Sequence, residues 1–157
     1  MTSAKNTPPT FPFYPLVLAV YPALALLSSN LGQAQPSAAL RPMIFSLLGS
    51  ALLFVALRLV FRRWDWAAIL TAVIQVLFFG YGYFYLALEG GVLGRHRYLA
   101  PIWLVLGGLS LWLVLRRRSF PMLVTAGLNA FGVILIVLPL LQIGQYQIRL
   151  AQPAAGT

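Results

Sequence analysis

Residues 66–88 read WAAILTAVIQVLFFGYGYFYLAL, and no charged side chain interrupts them between Trp66 and Leu88. A hydrocarbon core about 30 Å thick is crossed by about 20 residues of α-helix. This stretch meets that length. It is continuous and lacks the period-2 alternation of a half-buried strand. A transmembrane barrel would show shorter, alternating segments. The stretch therefore reads as a membrane-spanning helix. The same pattern recurs on either side, from Met43 to Phe61 and from Phe11 to Ser29 upstream, and from Tyr98 to Leu115 and Phe120 to Ile143 downstream. The fold class expected is all-α, a polytopic membrane helix bundle with five transmembrane helices over residues 11–146. Residues 1–10 read as a flexible N-terminus and 147–157 as a flexible C-terminal tail or linker.

Composition points the same way. The chain has 157 residues, 61% hydrophobic and only 8% charged. A soluble domain carries about 25% charged residues, so the lipid bilayer is the expected solvent and partner. Lys and Arg number 11 against 2 Asp and Glu. In a soluble protein that excess would suggest nucleic acid. Here the cations sit between apolar runs, where they orient helices instead, and no nucleic-acid partner is expected. Cysteine is absent, which excludes disulfides, thiolate nucleophiles and Cys-based metal sites.

The first apolar stretch could be mistaken for a signal peptide, with Ala34 and Ala38-Ala39 resembling a cleavage site. Its basic region holds only Lys5 and its apolar run exceeds a usual signal core, so retention is expected. Pro22 lies inside it and removes a helix hydrogen bond. The run Ser28-Ser29-Asn30-Leu31-Gly32 closes it.

Connections at 62–65 and from Arg116 to Ser119 are short, which makes successive helices antiparallel neighbours. The longer connections, 30–42 and 89–97, share the other side. Lys5, Arg58, Arg62, Arg63, Arg116, Arg117 and Arg118 outnumber Arg41, Arg95, Arg97 and Arg149 across the membrane. The positive-inside rule then places the N-terminus in and the C-terminus out, as in a multi-pass protein of the cell inner (plasma) membrane. Trp64 and Trp66 suit the inner interface, and Tyr81, Tyr83, Tyr85 and Tyr98 the outer one.

The inventory for catalysis is thin. The only carboxylates are Asp65 and Glu89 and the only imidazole is His96. The topology separates the two carboxylates, and one His with one Glu is not a metal site. No catalytic residue, metal or cofactor is expected, and the chain reads as a non-enzyme.

Two sets of residues remain as candidates. Arg95, His96 and Arg97, in the connection after Glu89-Gly90-Gly91, form either a contact for a headgroup or partner, through paired guanidinium donors, or an interfacial loop meeting lipid phosphates. Within the membrane, Gln75, Thr125 and Asn129 form either a polar pocket or interhelical hydrogen bonds, worth about 0.6 kcal/mol per contact. Thr125, Asn129 and Gly132 share one helical face. Ser46 and Ser50, Ala68 and Ala72, and Ala126 and Ala130 fit a small-xxx-small spacing that permits close helix approach. Gly80 and Gly82 suit a bend or a close crossing.

Certain pieces carry a family resemblance: Ser29-Asn30-Leu31-Gly32, Leu40-Arg41-Pro42, Gly94-Arg95-His96-Arg97-Tyr98-Leu99 and Leu138-Pro139-Leu140-Leu141-Gln142-Ile143. Together they resemble the N-terminal membrane region of bacterial sulfatase-like hydrolase/transferase proteins of the alkaline-phosphatase superfamily. The resemblance implies an extracytoplasmic hydrolase domain, with a metal-bound nucleophile, following the bundle. The nucleophile and metal carboxylates have no counterparts in this chain. The expected function is a non-catalytic membrane module that anchors or scaffolds such a domain or a separate membrane-protein partner. A small lipid-binding or transport protein with a polar cavity near Gln75 and Asn129 is the alternative. An accessory subunit of a larger membrane complex, with a lipid-facing groove of small residues, is a third.

Overall fold

A computed structural model describes residues 10–117 and 120–152, and within them every regular element is helical. Helix α1 spans Tyr14–Ser29, α2 Leu40–Phe61, α3 Trp64–Ala87, α4 His96–Arg116 and α5 Met122–Ala151, with a 3₁₀ turn at Pro36–Ala39 leading into α2. Lys5, Arg118, Ser119 and the tail from Pro153 lie outside the described residues. Helix α5 continues to Ala151, into the segment set apart from the sequence as a tail.

Helices α2 to α5 are each long and apolar enough to cross a membrane. Their surfaces demand one. Phe45 is 73% exposed, Leu104 76% and Leu123 82%. Apolar exposure on this scale is unstable in water but neutral against lipid tails. The molecule is a helical membrane bundle.

Helix α1 differs. Its 16 residues rise about 24 Å at 1.5 Å per residue, short of the roughly 30 Å core. It is also the most enclosed element, with Tyr14, Pro15, Ala19, Leu24 and Leu27 buried. It packs against α2, α3 and α5. Tyr14 meets Phe54 of α2 and Ala67 and Ala68 of α3, with Leu128 of α5 packed against the same cluster. The small side chains Ala67 and Ala68, fully buried, let α3 approach.

Prolines explain the short helix. Pro12 and Pro15 lack an N–H, and Pro15 stands in the first turn, where that loss is harmless. Leu16 and Val17 donate to the carbonyl of Phe13. Residues 10–13 are not helical, and their polar groups need partners from elsewhere.

The short link at Arg62–Arg63 does make α2 and α3 neighbours. The link after α4 departs from the sequence expectation. Among the described residues α4 packs on α3 and α5 packs on α1, while α4 and α5 barely meet. The reason lies in the faces available. The buried face of α5, Thr125-Asn129-Gly132, finds polar backbone at the start of α1. Helix α4 offers Trp103, whose indole N–H donates to the Leu77 carbonyl of α3 at 2.6 Å. The indole lies over Gly80, where a Cβ would come within 3.3 Å of it, so Gly80 marks a close crossing.

At the tight turn, Arg62 closes α2 in the left-handed conformation at φ 56°, and its N–H donates to the Arg58 carbonyl at 2.8 Å. Arg63 and Asp65 then pair through two contacts, 3.2 and 2.8 Å, with Asp65 in the first turn of α3, where the helix dipole favours an anion. The Arg58 guanidinium lies 4.9 Å from the Trp64 ring centroid. A left-handed non-glycine costs about 1 kcal/mol. Arg62→Gly is therefore expected to raise the stability of the detergent-solubilised protein by about 1 kcal/mol. Denaturant-induced unfolding followed by circular dichroism measures it, and a loss of stability would contradict the account of the turn.

Candidate functional site

The intramembrane polar residues form two separate hydrogen-bond sets, both directed at α1. The first is Asn129. Its Oδ1 accepts the N–H groups of Phe13, at 3.1 Å, and Tyr14, at 3.0 Å, while its Nδ2 donates to the Phe11 carbonyl at 2.9 Å. A helix N-terminus leaves backbone donors without intrahelical partners, and inside a bilayer no water replaces them. The residue before the helix, Phe13, supplies no side-chain cap. A carboxamide from another helix caps α1 instead. Thr125 is buried one turn earlier on the same face, and Gly132 admits Val17 so closely that a Cβ would lie 3.1 Å from its Cγ1. These contacts set α1 parallel to α5.

The second set is a ladder from α2. Ser46 Oγ donates to the Ala19 carbonyl at 2.6 Å and Ser50 Oγ to the Pro15 carbonyl at 3.2 Å. Donors and acceptors are both spaced i, i+4 and run antiparallel, so one face of α2 reads one face of α1. Gln75 of α3 then donates its Nε2 to Ser50 Oγ at 2.5 Å. Thr71, one turn before, bonds back to its own helix at the Ala67 carbonyl. Of the small-residue pairs, Ser46–Ser50 and Ala68–Ala72 lie in packed contacts, whereas Ala130 is exposed.

Gln75 and Asn129 thus bond to different elements, α2 in one case and the start of α1 in the other.

The other candidate set stands at the far end of the bundle, where α3 ends and α4 begins. The connection turns through Gly90, with φ +88°, and Gly94, where a Cβ would run into the Leu88 carbonyl. It delivers His96 as the first residue of α4. The imidazole stacks on Tyr85, with centroids 4.4 Å apart and planes 7° from parallel. Its Nδ1 shares a 2.7 Å hydrogen bond with the Tyr81 hydroxyl. Tyr81 in turn meets Trp103 edge-on at 5.9 Å. His96 therefore heads an aromatic column anchored on α3. Arg95 and Arg97 are exposed, and the Arg97 guanidinium lies 4.8 Å from the Tyr98 ring centroid. All three residues are exposed, with His96 lying against Tyr85 and Tyr81 and Arg97 against Tyr98.

Sequence reasoning assigned Tyr81 and Tyr85 to an interfacial belt and missed their role. Their i, i+4 spacing, one connection before the only His, was the available signal. Tyr14 and Trp103 carried no such signal.

Asp65 and Glu89 stand at opposite ends of α3, and among the described residues no group of three His, Cys, Asp or Glu is placed to hold a metal. No protein-family model, curated protein or solved structure matches the chain.

Replacing Asn129 strands two N–H groups and a carbonyl. At 0.6 kcal/mol per intramembrane bond, and more for a buried backbone group left unpaired, Asn129→Leu should cost roughly 2–4 kcal/mol. Gln142→Leu, at an exposed position of the same helix, should change stability by less than about 0.5 kcal/mol. Unfolding midpoints of the two variants in one detergent compare them directly.

Proposed function

We propose that the chain is a non-catalytic membrane module that holds an extracytoplasmic domain or partner at the bilayer surface. The observation that carries this reading is the overhang of α5. The helix has 30 residues, about 45 Å at 1.5 Å per residue, against a core of about 30 Å. Beyond Pro139 none of its residues is buried, and Ile148 and Leu150 are 61% and 64% exposed. A rigid helix that outruns its packing neighbours suits a stalk. Because α1 and α5 run parallel, the stalk emerges at the same end as the α3–α4 connection with the exposed Arg95 and Arg97. That end thus combines a lever and an exposed cationic face, and it is the docking end in this reading.

The distribution of arginines supports placing this end outside a cell inner membrane. The resemblance to sulfatase-like membrane regions supports an extracytoplasmic hydrolase domain as the tethered partner. The directions taken by Gln75 and Asn129 weigh against a polar transport path joining them, since each is bonded to backbone or side chains of the bundle.

A second reading, an accessory subunit of a larger membrane complex, draws on one specific feature. A cavity of about 570 Å³ opens beside α1 and the 3₁₀ turn, and its walls include Ala19, Ala23, Ala34, Ala38 and Ala39. Small residues of this kind let a partner helix approach closely.

Single cysteines at His96, Arg117 and Gln152 test the leading reading in a chain with no natural thiol. In intact cells a membrane-impermeant thiol reagent should label positions 96 and 152 and spare 117. Labelling at 117 with protection at 96 and 152 would put the stalk in the cytoplasm and end the extracytoplasmic-anchor reading.

A further inference from the structure

Where α2 passes into α3, and α4 ends beside them, the described residues include Arg58, Arg62, Arg63, Arg116 and Arg117 against one carboxylate, Asp65. Arg63 occupies that carboxylate through contacts of 3.2 and 2.8 Å. Glu89, the other acidic side chain of the sequence, stands at the opposite end of α3. Arg58, Arg62, Arg116 and Arg117 are thus without an ion-pair partner among the described residues.

Three of the chain's four tryptophans stand at this same end, and each lies against an arginine. The guanidinium of Arg58 is 4.9 Å from the Trp64 ring centroid, that of Arg63 5.5 Å from Trp66 and that of Arg116 5.0 Å from Trp112. Indole rings settle at the level of lipid headgroups, so they mark the depth at which these arginines are held. Trp64 is itself packed against Phe11 and Phe54, with centroids 5.4 and 5.6 Å away, and that packing fixes the platform under Arg58. A ring takes a guanidinium by its face. The N–H donors lie in the plane of the group and stay available at its edge. Of the Arg58 nitrogens only Nε is enclosed without a partner, which leaves the two terminal nitrogens for an anion. Arg62, Arg116 and Arg117 are exposed.

The ligand that suits these donors is an anion with an apolar continuation. Next to Arg58 the surface of α2 carries Leu59 and Val60, each 72% exposed, and next to Arg116 that of α4 carries Leu113 and Leu115, 50% and 43% exposed. An acidic protein segment or a nucleic acid would match the charges but not the apolar surface beside them. A phospholipid matches both, with phosphate oxygens on the paired guanidinium donors and acyl chains along the helix. The unpaired positive charges favour a lipid of net negative charge over a zwitterionic one, whose own cation they repel.

We propose that this end of the bundle selects acidic phospholipids, with headgroup phosphates bound by Arg58 over Trp64 and by Arg116 over Trp112. The binding holds whichever face of the membrane this end occupies, so the topology experiment does not decide it.

Native mass spectrometry of the protein in a neutral detergent tests the site, with an equimolar mixture of phosphatidylglycerol and phosphatidylcholine of identical acyl chains as probe. Both carry a phosphate and they differ in net charge. Each arginine at an anionic lipid surface is worth about a fivefold change in affinity. The wild-type protein should therefore retain phosphatidylglycerol about twentyfold over phosphatidylcholine. Arg58→Gln and Arg116→Gln should each lower that preference about fivefold, and the double variant should bring it to about one. Arg116 is exposed at the end of α4, so its variant keeps the test sharp if Arg58→Gln fails to fold. Arg97→Gln, at the opposite end of the bundle, removes the same charge and should leave the preference unchanged. Equal retention of the two lipids by the wild-type protein would overturn the proposal. So would a preference that survives the double variant, or one that falls as far with Arg97→Gln as with Arg116→Gln.

Discussion

A backbone group without a hydrogen-bond partner is tolerable in water and costly in lipid. The start of α1 presents that problem in concentrated form. Phe11, Phe13 and Tyr14 present polar backbone beside two prolines, and Phe13, the residue before the helix, makes no side-chain cap. Asn129, about two turns into α5, answers with one acceptor used twice and one donor. Much of the architecture depends on that answer. Because the chain's two ends of the bundle are joined here, α1 lies parallel to α5, and α5 is drawn to α1 and away from its sequence neighbour α4. Ser46 and Ser50 then attach α2 to the opposite side of α1, and α3 closes over Tyr14 through Ala67 and Ala68. A helix too short to span the membrane comfortably serves as the internal post on which three longer helices are hung.

The helices themselves were legible in the sequence because hydropathy is a local property. Span limits expected at Met43–Phe61 and Trp66–Leu88 fall within a few residues of α2 and α3. Polar residues were legible as faces: Thr125, Asn129 and Gly132 recur at helical spacing and are all buried. Their partners were not legible, since Asn129 bonds residues more than a hundred positions away. The same holds for the parting of α4 from α5. A short link brings two helix ends together, but it does not make their faces complementary. His96 shows a third limit. Its stacking on Tyr85 and its bond to Tyr81 join residues from two helices across a connection, which a local pattern does not show.

Structure and function meet in how unevenly the bundle is packed. The interior of the α1 contacts is dense, with the backbone at the start of α1 hydrogen-bonded to Asn129. The periphery is looser: among the described residues α4 rests mainly on α3 and α5 mainly on α1, and cavities open between them. In the proposed tethering role α5 is the lever, since it continues beyond its last buried residue, Pro139.

The central claim is that α1 packs in parallel on the Asn129 face of α5. A Cβ built at Gly132 lies 3.5 Å from the Val17 Cβ, within the range that a disulfide requires, about 3.5–4.5 Å. The most direct measurement is therefore oxidative cross-linking of a Val17→Cys, Gly132→Cys double variant in native membranes, set beside a Val17→Cys, Gly108→Cys pair that reaches to α4. The account predicts rapid cross-linking of the first pair and none of the second. Cross-linking of the α4 pair alone would contradict it.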